Sequence, residues 1–165
     1  MSSVITVAPD QKTSVHATKC LQNVLADTYG VYFVTHNYHW NVEGRQFRDL
    51  HALFGSQYNE LFNSIDVIAE RIRALGAYAL PIEGENLVNL LSTTSHALNK
   101  ESDSSSRATR MVHNLISMNM AAIQTCQTAK ENARSLNDDE TENLLVERIS
   151  AHQKSIWMLR SIVTL

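Results

Sequence analysis

Residues 47–76 read FRDLHALFGSQYNELFNSIDVIAERIRALG, and this stretch decides the fold. Phe47, His51, Phe54, Tyr58, Leu61, Ile65, Ile68, Ile72 and Leu75 recur at alternating steps of four and three, the period of a single stripe on an α-helix. No proline interrupts the stretch. Gly76, with Pro81 beyond it, supplies a stop, because glycine takes up the left-handed conformation that closes helices. The segment predicts a long helix that must bury one face against other helices.

The same reasoning extends in both directions. Upstream, from Thr13 to Trp40, the residues Leu21, Val24, Leu25, Thr28, Tyr32, His36 and His39 fall within about 60° of one line at 100° per residue. That predicts a first long helix, turned into the second by Gly44. Downstream, residues 76–103 form a long connection, Ser-rich at its end and interrupted by a short amphipathic piece at 85–91. A third helix starts near Ser104 with the stripe Ala108, Val112, Leu115, Asn119, Ala122, Cys126, Ala129 and Ala133. Asn137-Asp138-Asp139-Glu140 reads as an N-cap with an acidic first turn. The fourth helix carries Leu145, Ile149, His152, Ile156, Leu159 and Val163. Residues 1–12 are polar and aperiodic, which predicts a flexible tail ahead of one domain at 13–165. The chain has 165 residues with only 5 Gly and 2 Pro, enough length to bury roughly 70% of its unfolded surface in one core. The expected fold is all-α: a ferritin-like four-helix bundle with a short helix in the long connection between helices two and three.

Composition narrows the function. The 14 basic and 17 acidic residues give a net charge of −3 with no basic block, so nucleic acid is not the obvious partner. No apolar run reaches the ~20 residues of a membrane span, and no secretory layout opens the chain. A cytoplasmic location is the expectation, with nucleoid association left open. Cys20 and Cys126 lack CxxC spacing and lie on apolar stripes, where a small thiol packs as a core residue.

The residues that carry chemistry are His36 and His39 near the end of helix one, His51 on helix two, and Asp66 with Glu70 one turn apart later on helix two. Imidazole and carboxylate together suit Fe, Zn or Mn better than a thiolate-seeking metal. The Glu-x-x-His pairs of an ordinary bundle-core metal site do not occur. His51 and Asp66 are separated by fifteen residues, about 22 Å along a straight helix, far beyond a shared coordination sphere. One chain cannot close such a site, but two antiparallel copies of helix two about an axis near Tyr58 and Asn59 would. Each residue alone has a plainer explanation. His36 or His152 can be hydrogen-bonded core histidines, and Asp66 and Glu70 can be a solvated face paired with Arg71 or Arg73.

The stretch His36-Asn37-Tyr38-His39-Trp40-Asn41-Val42-Glu43-Gly44, then Phe47, Leu50-His51, Phe54, Tyr58, Leu61, Asp66 and Ala69-Glu70-Arg71-Ile72, resembles the signature of the Dps mini-ferritins. The resemblance continues through Leu75-Gly76, the short helix of the connection, and Trp157-Met158-Leu159-Arg160-Ser161. It implies a homo-oligomeric shell of twelve subunits with ferroxidase sites at two-fold interfaces. His39 and His51 of one subunit would act there with Asp66 and Glu70 of its partner. It also implies oxidation of Fe(II), commonly with hydrogen peroxide, storage of Fe(III) in the cavity, and protection against oxidative damage. Zinc or another divalent metal would substitute at the same ligands. Trp40 is then either a packed aromatic or a radical sink beside the site, and His36 a water-mediated ligand or an orienting residue. Asp138, Asp139 and Glu142 match the acidic three-fold pores of the family, while capping and dipole compensation is their ordinary role.

Two positions depart from the family. Many members carry an acidic residue four positions after the second histidine, and here that position is Gly55, so a second iron should bind weakly, through water, or not at all. Asn143 stands where the pore often has another Asp. Relatives that bind DNA use several basic tail residues, whereas this tail offers Lys12, with Lys19 already in the helix, and Leu165 follows no basic extension. DNA binding is therefore expected to be weak or absent. The competing readings are a shell that sequesters metal without turnover and a DNA-compacting shell.

Overall fold

The computed structural model describes residues 11–80 and 103–163. Within them the chain forms four helices and no strand: α1 (Gln11–Asn41), α2 (Phe47–Ala74), α3 (Ser104–Ser135) and α4 (Asp139–Val163). The short helix expected at 85–91 and residues 1–10 of the expected tail lie outside the described residues. The helix starts at Gln11, two residues before the boundary expected at Thr13.

The ends of the helices follow local chemistry. Gly44 and Gly76 have φ of +99° and +88°, which a residue with a Cβ adopts only at a cost. Gly76 donates its N–H to Arg73, and Ala77 reaches back to Ile72, satisfying carbonyls that the helix end leaves open. Asp103 caps α3 by accepting the Ser106 N–H at 2.9 Å. Asn137 is not the cap of α4. It takes the left-handed conformation, φ 54°, and Asp138 is the cap, accepting Thr141 N–H at 3.0 Å. The first turn of α4 is acidic, with Asp139, Glu140 and Glu142, as the positive end of a helix favours.

Side-chain pairs set the helix directions. Tyr38 meets Asn114 and Asp27 meets Thr125, so α1 and α3 run antiparallel. Arg71 meets Asp138 and Glu60 meets Arg148, so α2 and α4 do too. With short turns joining α1 to α2 and α3 to α4, helices α2 and α3 point the same way. Parallel second and third helices are the mark of the ferritin-like variant of the four-helix bundle.

The core is built from Leu21, Val24, Leu25, Val31, Val34 and Tyr38 of α1 against Leu50, Phe54, Leu61, Ile65, Ile68 and Ile72 of α2. The α3 stripe, Ala108 to Ala133, is buried as the sequence predicts, and Leu145, His152, Ile156 and Leu159 are buried on α4. Burial pushes the Cys126 thiol up to about 11, which makes it an inert core residue. The expected stripes of α1 and α2 divide. Phe47, His51 and Tyr58 leave the core, which takes Leu50 and Gln57 instead, and on α1 the residues Tyr32, His36 and His39 yield to Val31, Val34 and Tyr38. A strict seven-residue repeat drifts by about 20° per heptad around a straight helix. One stripe cannot face the core over its whole length, and its other end becomes a second face shared by α1 and α2.

A candidate metal site on the open face of helices one and two

His39 lies in the last turn of α1 and His51 in the first turns of α2, and the tight turn between them brings the two imidazoles into contact. Their ring centres are 3.7 Å apart with planes inclined by 23°. His39 Nδ1–H donates to the His51 carbonyl at 2.7 Å, and His51 Nδ1–H donates to the His39 carbonyl at 2.8 Å. A carbonyl only accepts, so each Nδ1 must carry the proton. Each Nε2 is left with a lone pair, the form in which imidazole binds metal, and the bond from Nδ1 fixes the ring.

The stacking has a consequence for coordination. A metal ion sits close to the plane of its imidazole at roughly 2 Å from nitrogen. Planes inclined by only 23° at 3.7 Å separation meet well beyond that distance. In this stacked arrangement the two rings do not converge on a single ion. A Cβ on Gly55 would lie 3.3 Å from His39 Cε1, so the glycine lets the His39 ring rest against the backbone of α2.

Asp66 and Glu70 are exposed one turn apart on α2. At 100° per residue they share, within about 100° of arc, the face that carries His51 and Gly55. The expected partners are engaged elsewhere: Arg71 donates to Asp138 at 2.6 Å and to Thr141 at 2.8 Å, and Arg73 donates to the Ala77 carbonyl and covers the Tyr78 ring. Among the described residues neither carboxylate has an ion-pair partner, and no three His, Cys, Asp or Glu gather around a common metal position. The subunit brings His39 and His51 together and leaves Asp66 and Glu70 further along the same helix.

The chain matches the model of the ferritin-like domain over residues 18–165. It is 31% identical to DNA protection during starvation protein 2 of Bacillus anthracis, across 87% of this chain and 93% of that one. It is 36% identical to a low temperature-induced protein of Nostoc, across 87% and 77%. The chain belongs to the Dps branch of the ferritin-like family. Among solved structures it is similar to the Dps protein of Vibrio cholerae, described as a ferritin-like diiron-carboxylate protein, with TM-score 0.78, 25% identity and 99% coverage of both chains. It also resembles Dps of Staphylococcus aureus, with TM-score 0.75, 28% identity, and coverage of 96% and 99%.

Trp40 is not a core aromatic: it is 63% exposed, because its position on α1 points away from the bundle. His36 touches Trp40 and Tyr58, with ring centres 4.1 and 4.3 Å away. Burial, and then its neighbour His39, pull its pKa below the usual value. Asp138 is held by Arg71 and by its own capping bonds, and Glu142 by Arg134. Of the three pore candidates only Asp139 is exposed without a partner among the described residues. His152 is a core histidine: Nδ1–H donates to Asn119 Oδ1 at 2.7 Å, and burial, aided by the Arg148 guanidinium, pushes its pKa down to about 3. Two features escaped the sequence. Tyr58, expected in the core, has its ring centre 5.2 Å from that of His39, and the reciprocal imidazole-to-carbonyl bonds involve backbone atoms that no motif spells out.

Among the described residues no helix is long and apolar enough to cross a membrane. Lys19 is exposed, and the side chain of Lys12 lies outside the described residues.

Proposed function

We propose that this chain is a ferroxidase and iron-storage subunit whose oxidation site is completed by a second copy of itself. The observation that carries the reading is the locked His39/His51 pair, with both Nε2 atoms free, on a helix whose unneutralised carboxylates lie too far along to join it. Two antiparallel α2 helices about an axis near Tyr58 and Asn59 set His51 opposite Asp66 of the partner subunit and Glu70 of the partner subunit. Trp40, Phe47 and Phe62, exposed by 63, 47 and 60%, surround this region. That apolar area is what a two-fold partner covers.

Fe(II) is the substrate. The histidines supply nitrogen and the partner's carboxylates supply hard oxygen, whose charge offsets that gained as Fe(II) becomes Fe(III). Hydrogen peroxide is the oxidant, and consuming it together with Fe(II) removes both precursors of hydroxyl radical. That accords with the starvation-protection names of the relatives. The product is stored in a hollow shell of twelve subunits in the cytoplasm. Cations enter past Asp139, Zn(II) competes for the same ligands, and DNA is bound weakly or not at all. The second metal position, beside Gly55, has an imidazole and no acidic side chain at 55, and it is the weaker of the two.

The test is anaerobic addition of Fe(II) followed by peroxide. Rapid stoichiometric formation of Fe(III) is expected in the wild type and is lost in His39→Ala and in Asp66→Ala. Tight binding without oxidation would instead make the protein a sequestering shell.

A further inference from the structure

Polar side chains interrupt the apolar core midway along the bundle. Gln57 on α2 and Arg148 and His152 on α4 are exposed by only 6, 5 and 1%. Among the described residues, Gln57 Nε2, Arg148 Nε and His152 Nε2 have no hydrogen-bond partner. Two side-chain pairs fix their level: Glu60 meets Arg148, and Asn119 of α3 meets His152. Because α2 and α4 run antiparallel, one turn back from Glu60, at Gln57, faces one turn on from Arg148, at His152. The groove between the two helices keeps the same register, with Ser56 and Gln57 lining it opposite Ala151 and Ser155. Apolar residues close the layer on both sides: Phe54 and Leu61 on α2, Leu145 and Ile156 on α4.

The three atoms are complementary in one way. Asn119 Nδ2 donates to the Leu115 carbonyl at 2.7 Å, which turns Oδ1 toward His152. An amide oxygen only accepts, so His152 Nδ1 carries the proton and Nε2 is left as an acceptor. Arg148 uses its two terminal nitrogens on Glu60, and its Nε–H, like the Gln57 amide N–H, can only donate. Two donors and one acceptor thus stand at one level without meeting each other, and a dry core penalises each of them. The chemistry of a guest follows. A cation would meet the Arg148 guanidinium, and an anion would face the His152 lone pair and the Glu60 carboxylate. A small neutral molecule that both accepts and donates satisfies all three.

We propose that this layer is a binding site for one buried water, which accepts N–H bonds from Gln57 and Arg148 and donates an O–H to His152 Nε2. Three hydrogen bonds are about the usual number for a water inside a protein. The core of a four-helix bundle is where ferritin-like proteins commonly hold metal; here the Arg148 charge reserves the place for a neutral guest. The water bridges α2 to α4 and, through His152 and Asn119, to α3. It therefore fixes the helix that carries His51 and Asp66 at the residue next to Tyr58, without touching the metal ligands themselves.

The experiment is a crystal structure of the assembled protein at a resolution that shows ordered waters, for the wild type and for Gln57→Met, whose side chain keeps the length of glutamine but cannot donate. The wild type should show a solvent peak within hydrogen-bonding distance of Gln57 Nε2, Arg148 Nε and His152 Nε2 in every subunit. In Gln57→Met the peak should be lost while the Asn119–His152 and Glu60–Arg148 pairs remain. A wild-type core with no peak in contact with all three atoms, or with Gln57 or Arg148 bonded directly to His152, would overturn the proposal. So would a peak that persists undiminished in Gln57→Met. Should the variant fail to assemble, the wild-type map decides alone.

Discussion

The pair at His39 and His51 and the single histidine at His152 are built on the same local chemistry and put to opposite ends. In both places Nδ1–H is held by an oxygen acceptor and Nε2 keeps its lone pair. His152 is 1% exposed, and among the described residues its Nε2 meets no partner, with the Arg148 guanidinium near enough to depress its pKa. A cation reaching that nitrogen would have to enter the core and would meet the Arg148 charge there. His39 and His51 stand on an open face whose own carboxylates are unneutralised. A correctly protonated imidazole is therefore not enough: access and compensating charge decide which one is suited to hold a metal ion.

The comparison breaks most sharply at the open site. His39→Ala or Asp66→Ala should lower the initial rate of Fe(II) oxidation by more than about 100-fold, since even outer partners of metal ligands are worth 10–100-fold. His152→Leu should leave oxidation by the folded protein near wild type and instead cost about 2 kcal/mol in urea unfolding, because Asn119 Oδ1 loses its donor in the core. Replacing Asn119 by Leu as well should recover part of that loss.

The buried histidine also gives stability a pH dependence. Its folded pKa of about 3 lies below the ordinary 6.5, so the unfolded chain binds the proton first as pH falls. The contribution is fully present above about pH 6.5 and is lost progressively below it, with a slope of at most about 1.4 kcal/mol per pH unit. Urea midpoints between pH 7 and pH 4 should fall less steeply in His152→Leu than in the wild type. The smallest effect belongs to Asp138→Ala, which removes a helix cap and the Arg71 ion pair together for about 1 kcal/mol. If Asp138 lined a pore, iron uptake would slow more than stability falls; the bonds to Arg71 and Thr141 lead us to expect the reverse.

Much of this was legible in the residues. The four-and-three spacing from Phe47 to Leu75 pointed to a long helix, and the length of the 76–103 connection left helices two and three free not to be antiparallel neighbours. The fifteen residues between His51 and Asp66 already ruled out a site within one chain. What could not be read was which side of each stripe faced the core. Tyr58 and Trp40 are aromatic like any core residue; Tyr58 leaves the core through the drift of a seven-residue repeat around a straight helix, and Trp40 stands two residues beyond buried Tyr38, on the opposite side of α1. That Arg71 comes across from α2 to meet Asp138 was equally out of reach, since sequence shows only an acid at a helix start.

The most direct test of a shared site is complementation. His51→Ala and Asp66→Ala, each inactive alone, are unfolded, mixed in equal amounts and reassembled, and Fe(II) oxidation with peroxide is measured. A two-fold partnership predicts recovery of about a quarter of wild-type activity, because half of randomly paired dimers are mixed and each holds one intact site. No recovery, in mixtures shown by mass to contain mixed assemblies, would contradict it.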